Sequence, residues 1–418
     1  MQLIGCMKVS IIAAIASFLA MEGVARAQGV VEFNTSHTLY YEAPTRSNMT
    51  VYSPSVDLRA SPAPFLDVRG GWEADVVSGA SIAVKAGPTY QATHAAADVV
   101  TAASVHDVRN VAKGGFTLKN DTVSLSPGYS YSTEKDYKSH AIEVSAKTEL
   151  FEHNTQLEFS YAHDFDRVCD RVQGINDGPS RSPALESSVG CFTSDPTRTT
   201  HGVDLDGYQA SWSQSWSRIF ATQLVYSAEI LHGFLSNPYR SVILGEGLKA
   251  QEHHPDNRGR EAIALRANFF IRPIRSALRL KTRGYWDTWD VKSITVEAEF
   301  EKYFGEALRA ELRGRYYRQS GALFFSDDYT GGDSPLGPKG QYFTGDRELS
   351  PFTSVLVGLR ATYTFLPARG RLLGLMNSLK VAVSGNVVQF DYSGYTLGGA
   401  AIGNARAYIL GLSASATF

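Results

Sequence analysis

The sequence predicts an all-β protein, a transmembrane antiparallel up-and-down β-barrel of about 16 strands with its long loops on the extracellular side. Three observations predict it. Segment after segment alternates apolar and polar residues with a period of two, a strand pattern, and no helical period of useful length intervenes. Every second connection between these segments is long and polar, while those between are mostly short. Several segments set an apolar face against a charged one, and the charged face cannot meet lipid, where each charge costs about 2–4 kcal/mol near the midplane.

The chain opens on an export signal. Lys8 gives a positive start, Val9 to Ala20 is a short apolar run, and Ala25-Arg26-Ala27 is a small-x-small cleavage site. Residues 1–27 therefore read as a secretory signal peptide and 28–418 as one barrel domain of the bacterial outer membrane. Leu3-Ile4-Gly5-Cys6 looks like a lipidation box, but no apolar region precedes it.

The strands follow in order. Val31, Phe33, Leu39 and Tyr41 alternate with Glu32, Asn34, Ser36 and Thr38, and a weaker strand covers Tyr52 to Ala60. Leu66 to Val76, Val108 to Leu118, Val123 to Tyr131, Ile142 to Leu150 and Leu157 to Phe165 continue the pattern. The second half repeats it at Tyr208–Trp216, Phe220–Ile230, Ile263–Ile271, Leu278–Trp286, Ile294–Phe300, Leu308–Tyr316, Val355–Phe365 and Leu379–Tyr392. Long connections fall near 77–104, 166–202, 233–258, 318–350 and 393–403; tight ones fall at 119–121, 152–154, 217–218 and 272–276, with 366–377 as the exception. The final strand places Tyr408, Leu410, Leu412, Ala414, Ala416 and Phe418 on one face. It resembles the closing strand of an outer-membrane barrel, and Phe418 is the residue expected to be read by the barrel-assembly machinery.

Bulk composition narrows the function. A hydrophobic fraction of 43% and a charged fraction of 20% are ordinary for a folded protein. A net charge of -2 argues against general nucleic-acid binding. No mature stretch carries 18 continuous apolar residues, which excludes helical membrane spans but not a barrel. Trp72, Trp212, Trp216, Trp286 and Trp289, with the many tyrosines, suit aromatic girdles at the two membrane interfaces. Cys169 and Cys191 are the mature cysteines, and an exported chain makes a disulfide between them the default.

The most informative chemistry lies in 277–317. Inner faces run basic (Arg279, Lys281, Arg283), acidic (Glu297, Glu299, Glu301), then mainly basic (Arg309, Glu311, Arg313, Arg315), with Arg266 on the strand before. Neighbouring strands lie about 4.8 Å apart, so opposite signs can pair across the ladder. Two readings stay open: a salt-bridge network that fills and stiffens the lumen, or a charged pore wall that selects solutes. The long 77–104 connection, rich in Ala, Val and Thr, is a candidate plug.

Catalytic signals are fragments. His163 points outward in this register while Asp164 and Asp166 point inward, and no serine is tied to them by motif. His253 and His254 with Glu252 and Asp256 have no spacing that selects a metal. No phosphate loop, dinucleotide fingerprint or haem motif appears, so the sequence calls for no cofactor, no metal and no enzyme.

Asp75-Val76-Val77-Ser78-Gly79-Ala80-Ser81 is nearly repeated at Asp98 to Ser104. His106-Asp107-Val108-Arg109 follows, then Gly233-Phe234-Leu235-Ser236-Asn237-Pro238-Tyr239-Arg240 and the stretch Glu252 to Arg260. The D-x-x-S-G-A-S element (Asp75, Ser78, Gly79, Ser81) and the N-P-Y-R (Pro238, Tyr239, Arg240) then H-P-x-x-R-x-R order resemble a bacterial family of outer-membrane barrels known only as a domain of unknown function. The resemblance implies such a barrel and carries no activity. Physically, Asp75 and Ser78 suit turn capping and Gly79 a backbone angle other residues resist. The functions that follow are a porin-like channel for small polar solutes, a non-conducting barrel that docks envelope or secreted partner proteins, or an outer-membrane hydrolase. The partners expected are outer-membrane lipid, the assembly machinery and either an envelope protein or further copies of the chain.

Overall fold

A computed structural model describes residues 30–43, 49–78, 100–101, 107–172, 191–192, 195–244, 248–327, 329, 342–367, 370–392, 394–397, 400–401 and 403–418. The signal segment 1–27 lies outside these. Sixteen strands form one closed barrel. They are β1 (Val31–Ala43), β2 (Thr50–Ala63), β3 (Leu66–Ser78), β4 (Asp107–Lys119), β5 (Val123–Thr133), β6 (Tyr137–Leu150), β7 (Thr155–Arg171) and β8 (Arg198–Ser217). Then come β9 (Phe220–Gly233), β10 (Asn257–Ile271), β11 (Ser276–Asp287), β12 (Lys292–Phe304), β13 (Leu308–Gln319), β14 (Phe352–Phe365), β15 (Ser378–Asp391) and β16 (Asn404–Thr417). Every strand pairs antiparallel with its sequence neighbour, and β1 closes on β16 from Glu32↔Thr417 to Ala43↔Arg406. Closure leaves no unpaired edge, which is what a sheet needs to survive in hydrocarbon.

Alternation sorts the side chains. Leu265, Leu280, Val296, Leu312, Leu359, Val383 and Leu410 are exposed on the outer surface. Their strand neighbours Arg266, Lys281, Glu297, Arg313, Arg360 and Ser384 point inward. An apolar exterior around a polar interior is the architecture of an outer-membrane β-barrel, and the protein is one. A spanning strand needs only about 9–11 residues. Strands β7 and β8, of 17 and 20 residues, overshoot the bilayer, and polar outward residues such as His163 and Asp206 pair on their projecting ends at 2.8 Å.

Short turns close one end. Asn120 Oδ1 accepts from the backbone of Thr122 and Val123 at 2.9 and 2.8 Å, and Gly305 takes a φ of +68° that favours glycine. The opposite end carries the long connections, but not at every position. The β5–β6 and β11–β12 connections are tight, the latter because Asp287 Oδ1 accepts from Trp289 N and Val291 N at 3.0 and 2.9 Å. At the short-turn end, the 366–377 connection folds up so that Met376 packs with Val31, Phe33, Ala416 and Phe418. Phe418 is thereby 8% exposed, and its N–H donates to Val31 O at 2.9 Å.

Three sequence expectations are corrected. Trp289 belongs to no girdle: it is buried at the loop-side mouth, under Arg258 at 4.1 Å and edge-on to Phe324 at 5.0 Å. The other four tryptophans face outward. Asp75 caps no turn; it lies within β3, faces inward and accepts from Ser53 Oγ at 2.5 Å, because the alternation runs on through Val76. Loop length on the outer side is mixed, as given above. Gly79 and Ser81 lie outside the described residues, as do most of 77–104, and of Ser78 only the strand backbone is described.

Candidate functional site

The lumen wall is built first from strand pairing. The β11–β13 charges meet as their register requires. Lys281 Nζ reaches Glu297 and Glu299 at 2.8 and 2.7 Å. Arg279 spans Glu299, Glu301 and Glu311 at 3.7, 3.3 and 3.6 Å. Arg309 lies 3.7 Å from Glu301, and Arg313 pairs with Glu297 and with Glu299 at 3.9 Å. The three glutamates are buried beneath these cations. Arg283 leans over the Tyr285 ring, and Arg266, opposite Lys281, hydrogen-bonds Gln223 at 3.1 Å instead of a carboxylate. Arg315 Nε is buried with no hydrogen-bond partner.

A second band, not foreseen in the sequence, lines β2–β6. Arg59 and Lys119 clasp Asp67 at 2.6 and 2.7 Å, and Lys113 reaches Asp57 and Glu73 at 3.2 and 3.5 Å. Arg69 pairs with Glu143 across two intervening strands. The residues between them in register are Gly115 and Gly128, and a Cβ on Gly128 would collide with the Glu143 side chain. In a barrel of sixteen strands, β4 and β12 stand opposite each other, so the two ionic bands face across the lumen.

The loops build a cap at the mouth. The segments 240–244 and 248–251 form a hairpin, and Val100–Thr101 adds to it against Arg240 and Ser241. The described part of the 77–104 connection thus joins the cap. His253 exchanges backbone hydrogen bonds with Phe343 at 3.0 and 2.9 Å, which ties the hairpin to the 320–351 connection. Val242, Ala250, Tyr329 and Phe343 form its apolar centre. Asn237 Oδ1 accepts from Tyr239 N at 3.0 Å, the turn that launches the first cap strand, and Tyr239 packs on the disulfide between Cys169 and Cys191.

The motif residues converge here. Glu252, 1% exposed, takes Arg240 at 3.5 Å, His254 Nε2 at 3.4 Å and the Thr344 hydroxyl at 2.7 Å. Arg240 also pairs with Asp346. Burial alone would raise the Glu252 carboxyl, but Arg240 and His254 beside it hold it down to about 2. His254 Nδ1 donates to Leu235 O at 3.0 Å, whereas His253 stacks on Tyr342, so the two histidines do different jobs. Arg347 fixes the cap to the barrel through a two-pronged bond to buried Glu42 at 2.6 and 3.0 Å. Arg258 bonds Asp287 at 2.9 Å and Arg260 lies 3.3 Å from Glu229. The only trace of this cluster in the sequence is the order of the motifs, since loop residues have no periodicity to read.

Under the cap lies a cavity of about 660 Å³, lined by Tyr137, Asp166, Leu231, Pro238, Arg258 and Trp289 among others.

The barrel is similar to a bacterial polysaccharide outer membrane secretin, at 8% identity and a TM-score of 0.44, with 94% of this chain and 98% of that one covered. It is similar to a BenF-like porin from Pseudomonas fluorescens Pf-5, at 8% identity and 0.43, over 94% and 99%. It is also similar to Pseudomonas aeruginosa OccK2 (OpdF) in complex with glucuronate, at 9% identity and 0.41, over 94% and 98%. Nothing about a substrate passes from these to the present protein. No match was found among the curated proteins. A family described as "Protein of unknown function (DUF3570)" matches residues 6–372, and with that span the chain belongs to the DUF3570 family.

Proposed function

We propose that the barrel is a porin-like, non-enzymatic conduit for small polar solutes, with a loop cap at its outer mouth. One observation carries this reading. The inward charges of the β2–β6 band remain open to solvent even while paired: the side chains of Arg69 and Glu143 are 47% and 55% exposed, and those of Lys113 and Asp57 43% and 44%. That exposure leaves room for water beside the inward charges, which supports an aqueous lumen. A wide water-filled lumen is what a barrel of about this strand number leaves when side chains do not fill it.

The latched cap favours a second reading, a barrel that does not conduct at rest and engages an envelope partner through its loops. Single-channel recording of the full-length protein in a planar bilayer separates the two. Steady conductance supports the conduit. A folded barrel that stays silent, and stays silent when the Arg347–Glu42 latch is removed by Arg347→Ala, overturns it.

A further inference from the structure

The cavity under the cap has one pole whose charge the described residues do not balance. Asp166 lines it from β7 and is 8% exposed. Its Oδ2 accepts from the Tyr137 hydroxyl, while its buried Oδ1 accepts no hydrogen bond. Asp164, two residues along the same inward face, has no ion pair among the described residues. The cations nearby are already matched. Arg109 faces Asp75 and Glu134 at 3.9 and 3.7 Å, Arg258 is bonded to Asp287, and Arg260 lies against Glu229. Lys135 reaches the cavity on the β5–β6 turn, but Glu134 and Asp136 flank it there and leave that turn net negative.

Beside this pole runs an apolar strip. Asp164 is in register with Leu205, Leu205 with Leu231, and Leu231 with Arg258. Leu205 and Leu231 point inward and line the cavity with Val203, Phe234 and Leu235. The volume of about 660 Å³ is that of a small-molecule site.

We infer that this chamber binds a small organic ammonium ion, its N–H groups donating to the Asp166 carboxylate, with Asp164 adding negative charge two residues along the same strand face, and its apolar body lying along Leu205 and Leu231. A buried carboxylate oxygen without a donor is costly to keep, and an ammonium group supplies both the donor and the counter-charge. At the other pole Arg258 is bonded to Asp287, and Arg260, although its Nε has no hydrogen-bond partner, has its charge offset by Glu229 at 3.3 Å.

The test is calorimetric titration of the full-length protein in detergent with phenethylamine, with 2-phenylethanol and phenylacetate as neutral and anionic controls of the same body. The amine should bind, and both controls should bind at least about ten-fold more weakly, the worth of one charged hydrogen bond. Asp166→Asn should weaken the amine by a similar factor while retaining the gel mobility shift of a folded barrel. Should Asp166→Asn not fold, Asp164→Asn decides by the same criterion. Amine and alcohol binding alike, no amine binding to the folded protein, or unchanged amine affinity in the folded variant would each overturn the inference. Calorimetry needs no conduction, so this outcome is independent of whether the barrel is a channel.

Discussion

Replacing Arg240 with Leu should free the loop cap while the barrel stays closed. Glu252 has no exposed side-chain surface and Asp346 has 12%, and both lean on the Arg240 guanidinium. After Arg240→Leu, Glu252 keeps only His254, the Thr344 hydroxyl and the Asn237 N–H. Removing one partner of a buried ion pair costs about 3–5 kcal/mol, mostly because a charge is left buried and unmatched. That is a factor of about 10²–10⁴ in the opening equilibrium of the cap. The barrel strands hydrogen-bond around their own ring and do not pass through this cluster, so their stability should not follow. Hydrogen exchange read by mass spectrometry in detergent is the assay. Amides of Val242, Ala250 and Phe343 should lose protection by that factor, with those of Val296 and Leu312 unchanged. Adding Glu252→Gln should restore part of the loss, because it removes the orphaned charge. Unchanged exchange in the cap, or equal loss throughout the barrel, would refute the reasoning.

The same carboxylate gives a pH dependence. Glu252 is held down to about 2 in the folded protein against an ordinary 4.5, so its contribution is complete above about pH 4.5 and lost as pH falls toward 2; cap exchange corrected for intrinsic rates should rise over that window, and a cap that loosens only on alkalinisation would contradict it. Changing Glu297, Glu299 and Glu301 together to Gln strips the carboxylate partners from Lys281, Arg309 and Arg313 and leaves Arg279 with Glu311 at 3.6 Å, so on the proposed conduit reading the reversal potential in a salt gradient should move toward anions; an unmoved potential would leave the network a packing device. Reducing the Cys169–Cys191 bond, which closes a separation of 22 residues, should remove about 3 kcal/mol from the segment it ties; circular dichroism should still show heat-resistant β structure, and global melting under mild reductant would count against it.

Alternation made the sixteen strands legible because each strand of a membrane barrel meets a different solvent on each face. The β11–β13 band was legible for a related reason: three successive strands carry same-sign runs, and adjacent pairing turns those runs into contacts. The β2–β6 band was not. Its Arg69–Glu143 pair crosses Gly115 and Gly128, and a glycine at an inward position reads as a gap in the pattern rather than as room for a long side chain. Trp289 misled because its residue type suits an interface, while the Asp287-capped turn folds it inward. Asp75 misled because an Asp near Ser and Gly resembles a turn, although the strand runs on to Ser78. The cap cluster joins Arg240, Glu252 and Asp346 from separate connections, and only folding brings them together.

A near-zero charge tally therefore says little about the lumen until pairing is known. The β2–β6 band is matched ion by ion, whereas in and next to the β11–β13 band Arg266, Arg283 and Arg315 have no carboxylate partner among the described residues, so both bands stiffen the wall but the second keeps a cationic excess. Other unmatched charges among the described residues lie at the two ends of the lumen. Asp164 and Asp166 stand toward the loop end. Arg360 and Lys380 stand toward the short-turn end, in a recess of about 290 Å³ with Ser36, Ser55, Ser413 and Ser415. The recess carboxylate, Asp57, is held by Lys113 at 3.2 Å, so it does not offset those two cations. On the proposed conduit reading, a solute entering from outside would pass carboxylates first and cations later. The glutamate triple variant follows from this: its effect comes from unmasking cations the wild-type wall keeps neutralised.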